Sequence, residues 1–169
     1  MKLKLWEVAL YPLLAIIMFT SKIAMDLLPN MHLLGMFIVT YTIVFRIKAL
    51  IPIYIFVFLA GIYGGFNPWW IPYLYIWTVL WGAVMLLPRN MPKKIAVPIY
   101  MAVCGLHGFL YGVLYAPAQA LMFGLDFKGA VAWIISGIPF DAIHGVSNII
   151  AGTMILPLAT ILKRAIKKI

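Results

Sequence analysis

Apolar residues run along the chain in long, nearly unbroken stretches, and the breaks between them carry Pro, Gly and basic residues. Taking those breaks as the ends of elements gives helical segments. The first covers residues 5–28 and stops at Pro29-Asn30, and the second, short for a span, covers 31–45 and stops at Arg46 and Lys48. The third covers 50–64, closed by Gly64-Gly65-Phe66-Asn67-Pro68, and the fourth covers 69–87, before Pro88-Arg89-Asn90-Met91-Pro92-Lys93-Lys94. The fifth covers 95–116 and is interrupted by Pro117. Residues 117–137 are apolar but broken by Gly124, Asp126, Lys128 and Gly129, and are expected to form a re-entrant or interfacial segment on the outer face. The last helix is expected to open at Pro139, with Asp141 in its first turn, and to run to about residue 162. Proline at the first helical position and an acid near the positive end of the helix dipole suit such a start.

Composition fixes the solvent. The 169 residues are 66% hydrophobic and 10% charged, with a mean hydropathy of +1.07. Soluble domains are about 45–50% apolar and about 25% charged. Six bilayer spans at about 20 residues each would use about 120 residues and leave about 49 for loops and ends. The expectation is therefore one all-α integral membrane domain over residues 1–169, with six transmembrane helices and no soluble ATPase or kinase unit. No phosphate-cradling G-x-x-x-x-G-K-[ST] motif occurs. Cys104 stands alone in an apolar run, as a small core side chain would. No repeat or inverted-repeat symmetry is visible.

Net charge is +9, from 13 Lys and Arg against 4 Asp and Glu. In a membrane protein the placement of the cations reports orientation rather than nucleic-acid binding. With the N-terminus inside, Lys2, Lys4, Arg46, Lys48, Arg89, Lys93, Lys94, Lys163, Arg164, Lys167 and Lys168 fall on the cytoplasmic side, and Lys22 and Lys128 fall outside. That distribution predicts both termini in the cytoplasm, whereas five spans would scatter the basic loops on both sides. No small-x-small cleavage site closes the first apolar run, and Lys22 and Asp26 interrupt it, so it is expected to be a helix rather than a signal peptide.

Polar side chains at membrane depth are costly and so are candidates for chemistry. Asp141, His144 and Asn148 fall at i, i+3 and i+7, on one face of the last helix. They suit a solute site first, with Asp141 accepting hydrogen bonds or neutralising a positive group, and bonding between helices second. Tyr73, Trp77 and Trp81 form an i, i+4, i+8 stripe that suits either stacking on a flat ring or packing on a neighbouring helix. Trp69 and Trp70 sit where indoles collect at a bilayer interface, and Glu7 is expected at the cytoplasmic boundary. Gly108-Phe109-Leu110-Tyr111-Gly112 is a G-x-x-x-G packing device, and Tyr111, Tyr115 and Gln119 continue from it toward the outer face. Asn30 and His32 lie in the first outer loop, and Lys22 and Asp26 are spaced to pair with each other. Asp141, His144 and His107 lack the cysteine or dense histidine cluster of a metal site, so no metal or cofactor is expected. Asp141 is the only carboxylate read as deep, which argues against an enzyme.

With these residues in view, the chain resembles the substrate-binding S component of an energy-coupling factor (ECF) vitamin transporter. The resemblance rests on length, six spans with cytoplasmic ends, a basic C-terminal tail, and Ser136-Gly137-Ile138-Pro139-Phe140-Asp141-Ala142-Ile143-His144, which is similar to a run that opens the sixth helix in that family. It implies a bacterial or archaeal plasma-membrane subunit that captures a vitamin or related nutrient from outside. Delivery would then require a transmembrane T component and two ATPases, with no nucleic acid involved. It also implies a pocket from the outer halves of helices four to six, which here would hold Trp70, Tyr73, Trp77, Tyr111, Tyr115, Gln119, Asp141, His144 and Asn148, with Asn30 and His32 in a lid. Ala9, Ala15 and Ala24 depart from the family's A-x-x-x-A spacing on the first helix. A flat neutral or cationic heterocycle suits the residues better than a polyanion. The alternative resemblance is to the five-span translocator protein family, through Asn67-Pro68-Trp69-Trp70 and Trp77-Thr78.

Overall fold

The computed structural model describes residues 3–28 and 30–168. Among them every regular element is helical: α1 (Leu5–Met25), α2 (Leu34–Phe45), α3 (Leu50–Gly64), α4 (Tyr73–Met85), α5 (Lys93–Phe109), α6 (Tyr111–Phe123), α7 (Phe127–Gly152) and α8 (Ile155–Ile166), with short 3-10 turns at Arg46–Ala49 and Pro68–Trp70. Lys2 and Pro29, used above as an orientation charge and a helix end, lie outside the described residues. Four continuous stretches are long and apolar enough to cross a membrane: Leu5–Met25, Leu34–Gly64, Lys93–Phe123 and Phe127–Gly152. The second of these folds back on itself, because Arg46 takes a left-handed φ of 55° between α2 and α3.

Contacts along α1 show the reversal. Tyr41 donates to the Leu14 carbonyl and Phe45 packs edge-on against Tyr11, so α2 runs against α1. Lys48 then reaches Glu7, and Tyr63 packs on Phe19, so α3 runs parallel to α1. α4 returns, with Trp70 just before it bonded to the Val57 carbonyl and Arg46 bonded to the Met85 carbonyl at its end. α5 and α7 make the most extensive helix pair and run antiparallel, Gly152 lying against Met101 and Gly112 against Asp141. α8 packs on α2 and ends beside Trp6 and Glu7, so both ends of the described chain meet at one end of the bundle.

Glycine sets the spacing of α5 and α7. A Cβ on Gly108 would lie 2.8 Å from the Gly145 Cα, so the backbones touch there and any side chain would push them apart. Small residues that let two backbones meet are the means by which membrane helices pack without a hydrophobic driving force between them.

Two expectations about boundaries are overturned. Residues 117–137 are not a separate segment between two helix ends: Pro117 lies inside α6, and a turn at residues 124–126 leads into α7. Nor does the last helix open at Pro139, which sits 13 residues into it. The true punctuation is Gly124, which ends α6 at a left-handed φ of 64°, and Asp126, whose carboxylate accepts from the Gly129 N–H at 2.7 Å as an N-cap. Proline breaks a helix in water, but helices at membrane depth tolerate it because neighbours re-satisfy the freed carbonyl. The last helix also breaks at Thr153–Met154 before α8, and the second segment becomes helical only at Leu34, leaving Met31, His32 and Leu33 in the connection from α1.

Candidate functional site

The inward face of α7 carries Asp141, His144, Gly145 and Asn148, while Phe140, Ile143, Val146 and Ile150 point away from the bundle. The i, i+3, i+7 stripe therefore faces the interior, as its spacing predicts. His144 and Asn148 are almost wholly buried. Around His144 the helices assemble a network of rings. Tyr111 lies 4.8 Å from His144 between centroids, and His32, brought in by the connection before α2, lies 4.7 Å away in edge-on contact. From Tyr111 the network continues to Trp77 at 5.9 Å, His107 at 6.2 Å and Tyr115 at 6.0 Å, and from Trp77 to Tyr73 at 5.2 Å. Five segments meet here: the α1–α2 connection, α4, α5, α6 and α7.

The polar atoms in this network are unusually short of partners. Trp77 Nε1, His107 Nδ1, His32 Nδ1 and Asn148 Oδ1 are buried without a hydrogen bond. A buried polar atom left unpaired costs about 1–3 kcal/mol, and natural interiors contain few of them. Four such atoms fall in one neighbourhood. His107 Nε2 lies 3.1 Å from the Ile76 carbonyl and must donate to it, which leaves Nδ1 as an unpaired acceptor. Asn148 donates from Nδ2 to the Cys104 carbonyl at 3.3 Å, leaving its own oxygen free to accept. Trp77 supplies the opposite sense, a free N–H.

The tryptophans can now be told apart. Trp70 donates to the Val57 carbonyl and Trp81 to the Arg46 carbonyl, so both indoles are committed to packing, Trp81 at the basic end. Trp77 is 1% exposed and donates to nothing. The stripe that the spacing left open thus divides, with Trp77 and Tyr73 in the ring network and Trp81 holding α4 to the α2–α3 turn.

Asp141 has a definite partner. The α5–α6 helix breaks at Leu110, and the Gly112 N–H in the first turn of α6 is accepted by Asp141 Oδ2 at 3.0 Å. The carboxylate thereby caps a helix start from across the interface, where the dipole favours negative charge. Tyr115 is half-buried, donates to the Trp69 carbonyl and stacks on Trp133. Gln119 lies a further turn along α6, and Asn30 holds a left-handed φ of 58° before α2; both lie outside the ring network.

His107 belongs to the ring network, and reading the sequence left it out of the solute set. The signal was present, because His107, Tyr111 and Tyr115 repeat at i, i+4, i+8. Glu7 lies at the end of the bundle where the chain ends meet, and it is buried there: its carboxylate takes both contacts from Lys48 at 2.6 and 2.7 Å, the Tyr11 hydroxyl at 2.9 Å and the Lys4 N–H at 2.8 Å. Lys22 and Asp26 pair at 3.1 Å, as their spacing predicts. Among the described residues no three His, Cys, Asp or Glu side chains come together as a metal-ligand set.

The chain matches no family model, no curated protein and no solved structure.

Proposed function

We propose that this chain is the membrane-embedded solute-capture subunit of an ECF-type importer for a vitamin or related small nutrient. It crosses the membrane six times, with both termini in the cytoplasm, and takes its solute from the outside. The observation that carries the reading is the buried convergence of Trp77, His107, His144, Asn148 and Tyr111 with His32 of the first connection, where four polar atoms lack partners. Rings offer flat stacking surfaces, Trp77 offers a donor, and His107 and Asn148 offer acceptors, so a flat heterocycle with both donor and acceptor edges satisfies the site. No lysine or arginine belongs to the network, which disfavours a phosphorylated solute.

The alternation of helix directions supports an even number of crossings. The cations support its orientation, since Lys4, Arg46, Lys48 and Lys163 gather at the end where α1 begins and α8 finishes, the end the positive-inside rule places in the cytoplasm. Energy comes from partner subunits, a T component and two ATPases, as the resemblance to ECF importers implies. In proteoliposomes the chain alone is expected to bind its solute without accumulating it, and addition of the partners is expected to give ATP-dependent uptake. Sustained accumulation by the chain alone would refute the reading.

A further inference from the structure

At the basic end of the bundle, away from the ring network, a cavity of about 320 Å³ opens between the start of α1, the end of α2 and the end of α8. Its apolar walls include Trp6, Phe45 and Ile166, and its charged rim carries Lys48, Lys163 and Lys167 with Glu7. Glu7 neutralises Lys48 but not Lys163 or Lys167, because its two oxygens are already taken by Lys48, Tyr11 and the Lys4 N–H. Lys163 in the last turn of α8 and Lys167 just past its end stand one turn apart, are exposed, and have no acidic partner among the described residues. Like charges at i, i+4 repel. Further along the same three helices, away from the chain ends, lies a second cavity of about 220 Å³, almost wholly apolar, bordered by Leu14, Ile17, Phe37, Tyr41, Leu158 and Leu162.

We propose that these two cavities form a binding site for an anionic phospholipid, with the headgroup phosphate between Lys163 and Lys167 and an acyl chain along the apolar groove. Charge complementarity selects the headgroup, since two unpaired ammonium groups meet one phosphate. The apolar groove selects a lipid over a free anion, because a soluble phosphate would leave it unused. Trp6 provides the indole that lies at headgroup level in membrane proteins. The lipid would tie α8 to α1 across a seam that no salt bridge closes among the described residues, and would do so whether or not the solute reading holds.

Native mass spectrometry of the full chain in detergent tests this, with phosphatidylglycerol and phosphatidylcholine of matched acyl chains. Each lysine near an anionic headgroup contributes roughly a fivefold gain, so the pair predicts about a 25-fold preference for phosphatidylglycerol. Lys163→Gln with Lys167→Gln is expected to reduce this to less than about threefold, Lys163→Arg with Lys167→Arg to retain it, and Lys93→Gln with Lys94→Gln to leave it unchanged. An equal loss in the Lys93 and Lys94 variant would mean diffuse surface charge and overturn the proposal. So would displacement of the lipid by millimolar glycerol phosphate, or the absence of a preference in the unmodified chain.

Discussion

Trp77 is a buried indole whose N–H points at no acceptor, in contrast to Trp70 and Trp81 on the same stretch of chain. Without solute, Trp77→Phe removes an unsatisfied donor along with some packing, so the two effects offset and the thermal midpoint should move little. With solute, the same change removes a hydrogen bond to a buried partner, about 1–3 kcal/mol or roughly 5- to 150-fold in affinity. Calorimetric titration beside thermal unfolding separates the two. Glu7 and Lys48 give the opposite case, a pair both of whose members are committed. Lys48→Met leaves a buried carboxylate without its counter-charge and is expected to destabilise by about 3 kcal/mol, with Glu7→Gln added to it recovering much of the loss in denaturant titration. His32 carries a pH dependence. Burial, reinforced by the Lys22 charge, holds its imidazole below the usual 6.5. A base whose folded-state pKa is depressed binds more protons once released, so its contribution is present above about pH 6.5 and is lost as pH falls through that value. Stability is therefore expected to be flat from pH 8 to 7 and to fall below about 6.5 in thermal unfolding; a profile unchanged in His32→Asn would show that His32 does not carry that fall.

The helix pair α5–α7 was the most legible element. Gly105, Gly108 and Gly112 announce close approach, and the structure places them against Gly145, Ile149 and Asp141. Two substitutions of the same kind should have opposite signs. Gly108→Ala forces a Cβ to 2.8 Å from the Gly145 backbone and should cost about 1–3 kcal/mol. Gly137→Ala, with nothing within 4 Å of its Cβ in the middle of α7, should stabilise by about 0.5–1 kcal/mol. Differential scanning fluorimetry of the two variants in one detergent decides it. The ends of α6 and α7 were less legible, because Pro117 and Pro139 were given the weight they carry in water. The capping pair Gly124 and Asp126 was in the sequence and outranked them. The inward stripe of α7 was readable from spacing, since burial follows helical period whatever the solvent. The partner of Asp141 was not, because it depends on a break in α5–α6 at Leu110 that no proline or glycine at that position marks.

At the scale of the whole molecule, composition dictated an all-helical bundle with membrane-length apolar stretches, and the structure has that form. Which rings meet was beyond the sequence, because His32 arrives from a connection that dips against α7 and periodicity says nothing about loops. The same global arrangement predicts that single-cysteine reporters at Lys4 and Lys168 are labelled from the same side of sealed vesicles, and one at Lys128 from the other. The central claim, that the ring network captures a solute, is tested most directly by native mass spectrometry of the purified chain incubated with a panel of flat heterocyclic vitamins. The account predicts a single small molecule retained by the unmodified chain and by Lys128→Gln, and lost from Trp77→Phe. A spectrum free of any bound heterocycle across the panel, or equal retention by Trp77→Phe, would contradict it.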